Sequence, residues 1–355
     1  MALQSALQAC LMGSLASSLN RELPPRDYAG KFVVKNMTTL MPKGLPSGVD
    51  LLSDPSNLFV PRCKHAGRIV YDESGVPHMV MHQGVVVSKE GYYGIGQKIV
   101  AENSSDLILA NLGLHEPGEE RLFSEVLRLM PRGAVMLELG AYWAYYSTWF
   151  GAAVPDARLL AVEGEPAHMA VGEHNLEINN QSARWWRAFV SCGWSPGNYG
   201  AGNCKTEVVV SQLLVDLKLQ HVDLLLADIQ GSEWKMIKDI KDVLKARRVS
   251  YLFISTHKGF LHAGCKEVLS SVGYRIIASV DIDECSWAGD GVIVACPKEL
   301  KAVPPVDLGC RARSPERRNS VFENVPFSGE PCPYLPHRWK QLLQHQEGHS
   351  HKRVG

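Results

Sequence analysis

Val135-Met-Leu-Glu-Leu-Gly-Ala-Tyr-Trp-Ala-Tyr-Tyr-Ser147 reads as a strand ending on an acid, a turn built on Gly140, and the opening of a helix. The pattern repeats downstream. Segments 134–141, 158–164, 184–190, 222–229, 249–256, 274–281 and 291–296 are β-prone and largely apolar. Helical patterns occupy 119–130, 144–153, 166–179, 231–246 and 264–272. Continuous apolar runs such as Val222-Asp-Leu-Leu-Leu-Ala227 predict burial on both faces, which a parallel sheet covered by helices imposes. Only Ile282 to Asp290 join the sixth and seventh runs, too short a link for a parallel crossover, so the last strand should return antiparallel. The expected architecture is a seven-stranded, doubly wound, Rossmann-like α/β sheet.

Chemistry gathers at the predicted strand ends. A nicotinamide cofactor presents a pyrophosphate to the first turn and calls for three glycines without an acid against the phosphates. This chain offers Glu138, Gly140 and Ala141, with Ala144 where a later glycine would stand. S-adenosylmethionine carries no phosphate and has a positive methionyl ammonium. Glu138 could orient that group directly or through water, and Gly140 lets the backbone approach it. Leu159-Leu-Ala-Val-Glu-Gly-Glu165 ends the second strand, and Glu163 stands where a Rossmann carboxylate grips ribose hydroxyls. Asp228 ends the fourth strand at the crevice where open α/β sheets bind ligands. His257 ends the fifth, as a base for an acceptor hydroxyl or as a satisfied strand-end histidine. Glu233 is open to a helix-capping role. Asp228 and His257 could also ligate a divalent metal, but with no recognisable third ligand no metal site is assigned.

These motifs resemble the FkbM family of methyltransferases from the Glu116-Pro-Gly-Glu-Glu segment to Gly291-Val-Ile-Val. The family's first motif is similar to Glu138-Leu-Gly-Ala-Tyr-Trp-Ala-Tyr-Tyr-Ser147, with Tyr142 and Ala144 in place of its Asn and second Gly. Val162-Glu-Gly-Glu-Pro166, Asn175-Leu-Glu-Ile-Asn179, Val222 to Glu233 and Ile254-Ser-Thr-His257 resemble its later motifs in order. The resemblance implies a class I sheet and methyl transfer from S-adenosylmethionine to a hydroxyl. Glu138, Gly140, Ala141, Glu163 and Asp228 would hold the cofactor, and His257 and Asp228 would be catalytic. Tyr142 and Ala144 keep open a non-catalytic, methyltransferase-like binding protein. A nicotinamide-dependent oxidoreductase is the weaker alternative.

Outward from this unit the signals thin. Prolines break every apolar run from residue 22 to 62, so 1–62 reads as an irregular arm and 63–115 as a small α+β cap before the catalytic unit at 116–298. The polar, Pro-rich stretch 299–355 is expected to be a poorly ordered tail. Lys+Arg and Asp+Glu both number 37, so no basic field invites a nucleic acid, and a small-molecule or sugar-containing acceptor is expected. The nine cysteines include no C-x-x-C pair and are odd in number, which indicates neither a zinc site nor a full disulfide framework. The mildly apolar N-terminus makes a poor signal or anchor, and no segment has the length of a membrane span, so the cytoplasm is expected.

Overall fold

The computed structural model describes residues 54–89, 108–109, 111–191, 206–300, 303–311 and 330–350. The glycine-rich stretch 91–96 and most of arm 1–62 lie outside them. A small antiparallel sheet comes first, with β1 (Ile69–Tyr71), β2 (Pro77–Val80) and β3 (Val86–Ser88). The main domain then runs α1 (Pro117–Leu127), β4 (Val135–Leu139), α2 (Tyr145–Ala153), β5 (Arg158–Glu163), α3 (Pro166–Ile178) and β6 (Arg184–Arg187). Two short strands, β7 (Phe189–Val190) and β8 (Glu207–Val208), pair with each other ahead of α4 (Val210–Asp216). The second half is β9 (Val222–Ala227), α5 (Glu233–Asp239), α6 (Lys241–Lys245), β10 (Val249–Thr256), α7 (Gly259–Ser271), β11 (Tyr274–Val280) and β12 (Gly291–Pro297), and α8 (His337–Ser350) is the last element among the described residues.

The main sheet has seven strands in the order β11-β12-β10-β9-β4-β5-β6. Within it β12 runs antiparallel to both its neighbours, and the remaining pairings are parallel. This is the seven-stranded, Rossmann-like sheet with the antiparallel return that the short link before the last strand implied. Its two faces form separate cores. One packs Met136, Leu224 and Phe253 against Phe123, Trp149 and Phe150. The other packs Leu137, Leu225 and Ile254 against Met236, Ile237 and Cys265. Trp185 and Trp186 join opposite cores, as adjacent residues of a strand must. The expected helix 231–246 is broken at Ile240 into α5 and α6, and α4 was not anticipated.

The small sheet docks on α3 through two asparagines one helical turn apart. Asn179 accepts from Val86 N–H (2.9 Å) and donates to its carbonyl, and Asn175 accepts from Ser88 N–H (2.8 Å). Both side chains are buried and satisfy strand-edge groups that would otherwise be stranded.

Within the stretch expected to be poorly ordered, residues 330–350 depart from that expectation, because α8 packs its wholly buried Trp339 beside Cys63, Val70 and Val86, and Trp339 Nε1–H donates to Ile178 O at 2.8 Å. A disulfide joins Cys63 to Cys332 across a separation of 269 residues, and Cys285 pairs with Cys310. Sequence spacing conceals such pairs because their partners meet only after folding. Closing so long a loop restricts the unfolded chain, so the double variant Cys63→Ser/Cys332→Ser should lose about 2–5 kcal/mol in denaturant unfolding. An unchanged midpoint would show that α8 and its neighbours hold without the crosslink.

Candidate active site

The strand order reverses between β9 and β4, and a crevice at the carboxyl ends of such strands is where open α/β folds bind ligands. The two strands are drawn together there. Asp228 N–H donates to Leu139 O (2.9 Å), and Gly140, at φ 74°, lies so close that a Cβ on it would overlap the Asp228 carbonyl oxygen.

On the β4–β5 side, Glu163 is 7% exposed and bridges two turns, its Oε2 accepting from Tyr142 N–H (2.8 Å) and its Oε1 from Glu165 N–H (2.7 Å). Each carboxylate oxygen has two acceptor sites, so capacity remains for hydroxyl donors. Glu138 is engaged differently. Its Oε2 accepts from Ser147 N–H (3.1 Å) and from the Ser147 hydroxyl, tying the end of β4 to the first turn of α2. Burial lifts its pKa to about 8, so near neutrality it is largely uncharged and ill suited to hold an ammonium directly. Tyr142 and Ala144 both take left-handed backbone, with φ of 43° and 51°, a conformation glycine adopts more cheaply. The Tyr142 ring packs edge-on to His168, 4.4 Å between centroids. Ala141, also buried, donates its N–H to Val162 O (3.0 Å), holding the loop against β5.

On the β9–β10 side, His257 gathers three carboxylates. Its Nδ1 lies 2.8 Å from Glu233 Oε1, and its Nε2 lies 3.4 Å from Asp228 Oδ1 and 3.3 Å from Asp290 Oδ1. Glu233 is fully buried and also accepts from Gly231 N–H (2.8 Å), so it steadies the turn and positions the imidazole at once. Burial pulls the His257 pKa down. The Glu233 hydrogen bond and the charges of Asp290 and Asp228 overcome that and raise it to about 10. Burial and the charge of Asp290 push Asp228 up, although its side chain is 38% exposed and solvent screens part of that push. Behind them, Glu119 accepts from the Ser255 hydroxyl (3.2 Å), and Glu120 accepts from the Tyr145 hydroxyl and from the N–H groups of His115 and Glu116.

The sequence reading placed Asp228, His257 and Glu163 at this edge but missed Asp290, which lies in what looked like a polar turn. The signal was the antiparallel return itself. Gly291 pairs with Thr256, so the residue before β12 must fall beside the residue after β10.

No protein-family model matches the chain, and no curated protein does. Among solved structures, it is similar to precorrin-6y C5,15-methyltransferase from Geobacter metallireducens GS-15, at 17% identity and TM-score 0.35 over 52% of this chain and 90% of that one. The METTL16 methyltransferase domain gives 14% identity and TM-score 0.39 over 64% and 86% of the two chains. TrmK from M. capricolum, solved with S-adenosyl-homocysteine, gives 12% and 0.31 over 50% and 67%.

Proposed function

We propose that the chain is an S-adenosylmethionine-dependent methyltransferase of the FkbM type, acting on a hydroxyl of a small-molecule or sugar-containing acceptor. The supporting observation is one sheet edge, at the reversal of strand order, that carries Glu163 at the end of β5 and the grouped Asp228, His257 and Asp290 beyond the ends of β9 and β10. When bound, S-adenosylmethionine supplies an electrophilic methyl group. Glu163 receives the ribose hydroxyls. Gly140 and Ala141 would receive the methionyl portion, and Glu138 acts through Ser147 by holding that loop to α2. Asp228 and His257 would receive the acceptor and orient its oxygen toward the methyl; His257 is already held protonated by its carboxylates, so Asp228, raised to about 7, would take up the proton the hydroxyl releases. Equal numbers of basic and acidic residues favour a small acceptor over a polyanion.

The left-handed Tyr142 and Ala144 favour a second reading, a binding protein without turnover. Product formation from labelled S-adenosylmethionine and a metabolite extract separates the two. The antiparallel β12 weighs against a nicotinamide-dependent oxidoreductase. No helix among the described residues is long and apolar enough to cross a membrane. The disulfides among the described residues favour an oxidising compartment over the cytoplasm expected from the sequence.

Calorimetry with S-adenosyl-homocysteine tests the reading. Binding is expected, and neither heat nor a thermal shift at millimolar ligand would overturn it. Glu163→Ala should weaken that binding about tenfold to a hundredfold, the worth of a charge-assisted hydrogen bond at about 1.5–3 kcal/mol. Its melting temperature, recorded alongside, separates a lost ligand contact from the freed N–H groups of Tyr142 and Glu165. An unchanged dissociation constant would move the ribose site elsewhere.

A further inference from the structure

We infer that Asp228, His257 and Asp290 form a binding site for a divalent first-row transition metal, with Glu233 holding the imidazole in the ligating orientation. One ligand atom from each of the three residues lies within 4.8 Å of the others, a spacing that a single central ion can span. The three come from the end of β9, the end of β10 and the residue before β12. Their meeting is set by parallel pairing of β9 with β10 and by antiparallel pairing of Thr256 with Gly291.

The orientation of the imidazole points the same way. A buried carboxylate on Nδ1 turns Nε2 between the other two carboxylates, where a divalent ion would take the place of the Nε2 proton, and a carboxylate-histidine pair of this kind orients many metal-ligating imidazoles. His257 Nε2 is itself an enclosed atom with no hydrogen-bond partner, pointing between Asp228 and Asp290. Two further enclosed oxygens, Glu233 Oε2 and Glu119 Oε1, also lack hydrogen-bond partners, a concentration of unmet acceptors that a cation would offset. Glu233 and Glu119 are 0% and 1% exposed, so water does not reach them freely.

Two carboxylates match the charge of a divalent ion, and the imidazole favours manganese, iron, cobalt or zinc over calcium or magnesium. Ion binding does not depend on the function proposed above. The use of the ion does rest on it: a metal here would lower the pKa of an acceptor hydroxyl coordinated to it.

The test uses the full chain, stripped with chelator and titrated with Mn²⁺ by calorimetry and by loss of the free-ion electron paramagnetic resonance signal, with Zn²⁺ in parallel. One ion per chain and a rise in melting temperature are expected. Asp290→Asn should abolish saturable binding. Glu233→Gln, which keeps all three ligands, should weaken it about 10–100-fold. Failure of the wild-type chain to bind either ion overturns the site whatever the variants do, and so does undiminished binding by a folded Asp290→Asn protein. S-adenosyl-homocysteine binding is measured on the same samples. A chain that takes Mn²⁺ without the nucleoside keeps this inference and loses the methyltransferase reading, and the converse result does the reverse.

Discussion

Replacing His257 with alanine should lower turnover about 10²–10⁴-fold while leaving S-adenosyl-homocysteine affinity nearly unchanged, the signature of a group that acts on the acceptor and not on the donor. His257 follows β10 and Glu163 ends β5, with β9 and β4 between them in the sheet, so its removal leaves the proposed ribose contacts in place. It does remove the positive partner of Asp228, Asp290 and Glu233, three carboxylates that it currently separates. Some loss of stability is therefore expected as well. The decisive measurement pairs melting temperature with initial rate on the same preparation. A purely structural histidine would give a less stable protein with normal turnover per folded molecule, and that outcome would sink the catalytic assignment. His257→Gln refines the result, since the amide can still donate toward Glu233 but carries no positive charge between Asp228 and Asp290.

Gly140→Ala should be the most damaging single methyl addition in the main sheet. Two costs coincide there. The left-handed φ of 74° is unfavourable for any residue with a Cβ, and the Cβ would overlap the carbonyl oxygen of Asp228, a backbone atom that cannot swing aside. Strain and overpacking together amount to about 2–5 kcal/mol. Relief would require β4 and β9 to part at their carboxyl ends, where the crevice lies, so cofactor binding should fail along with stability. Gly133→Ala is the matched control. Its φ is 76°, but nothing lies within 4 Å of the added Cβ, so it carries the backbone strain alone, about 1–2 kcal/mol. Equal losses from the two substitutions in denaturant unfolding would show that the contact with Asp228 contributes nothing.

Much of the site was legible because it is built from strand ends, and strand ends can be read from local pattern. Glu163, Asp228 and His257 each follow an apolar run, and in a parallel sheet every such run delivers its last residue to the same edge. Glu138 was legible in position but not in role. The sequence places Ser147 nine residues on without revealing that the first turn of α2 returns it to the carboxylate. Asp290 and Glu119 were missed for a related reason: neither ends a parallel strand. One is brought in by an antiparallel register and the other by a helix packed behind β10, where Ser255 meets it.

Local pattern alone thus determined the α/β class, the seven strands and the antiparallel return, because apolar periodicity and link length are properties of short stretches. Tertiary structure decided what no stretch contains. Cys63 and Cys332 are joined at the two ends of the described chain, and Trp339 is buried beneath a sheet more than two hundred residues earlier in the sequence. The charge state of the crevice was decided in the same way. His257 is an ordinary histidine until Asp228, Asp290 and Glu233 surround it, and electrostatic interactions depend on distance in space, which separation along the chain does not specify.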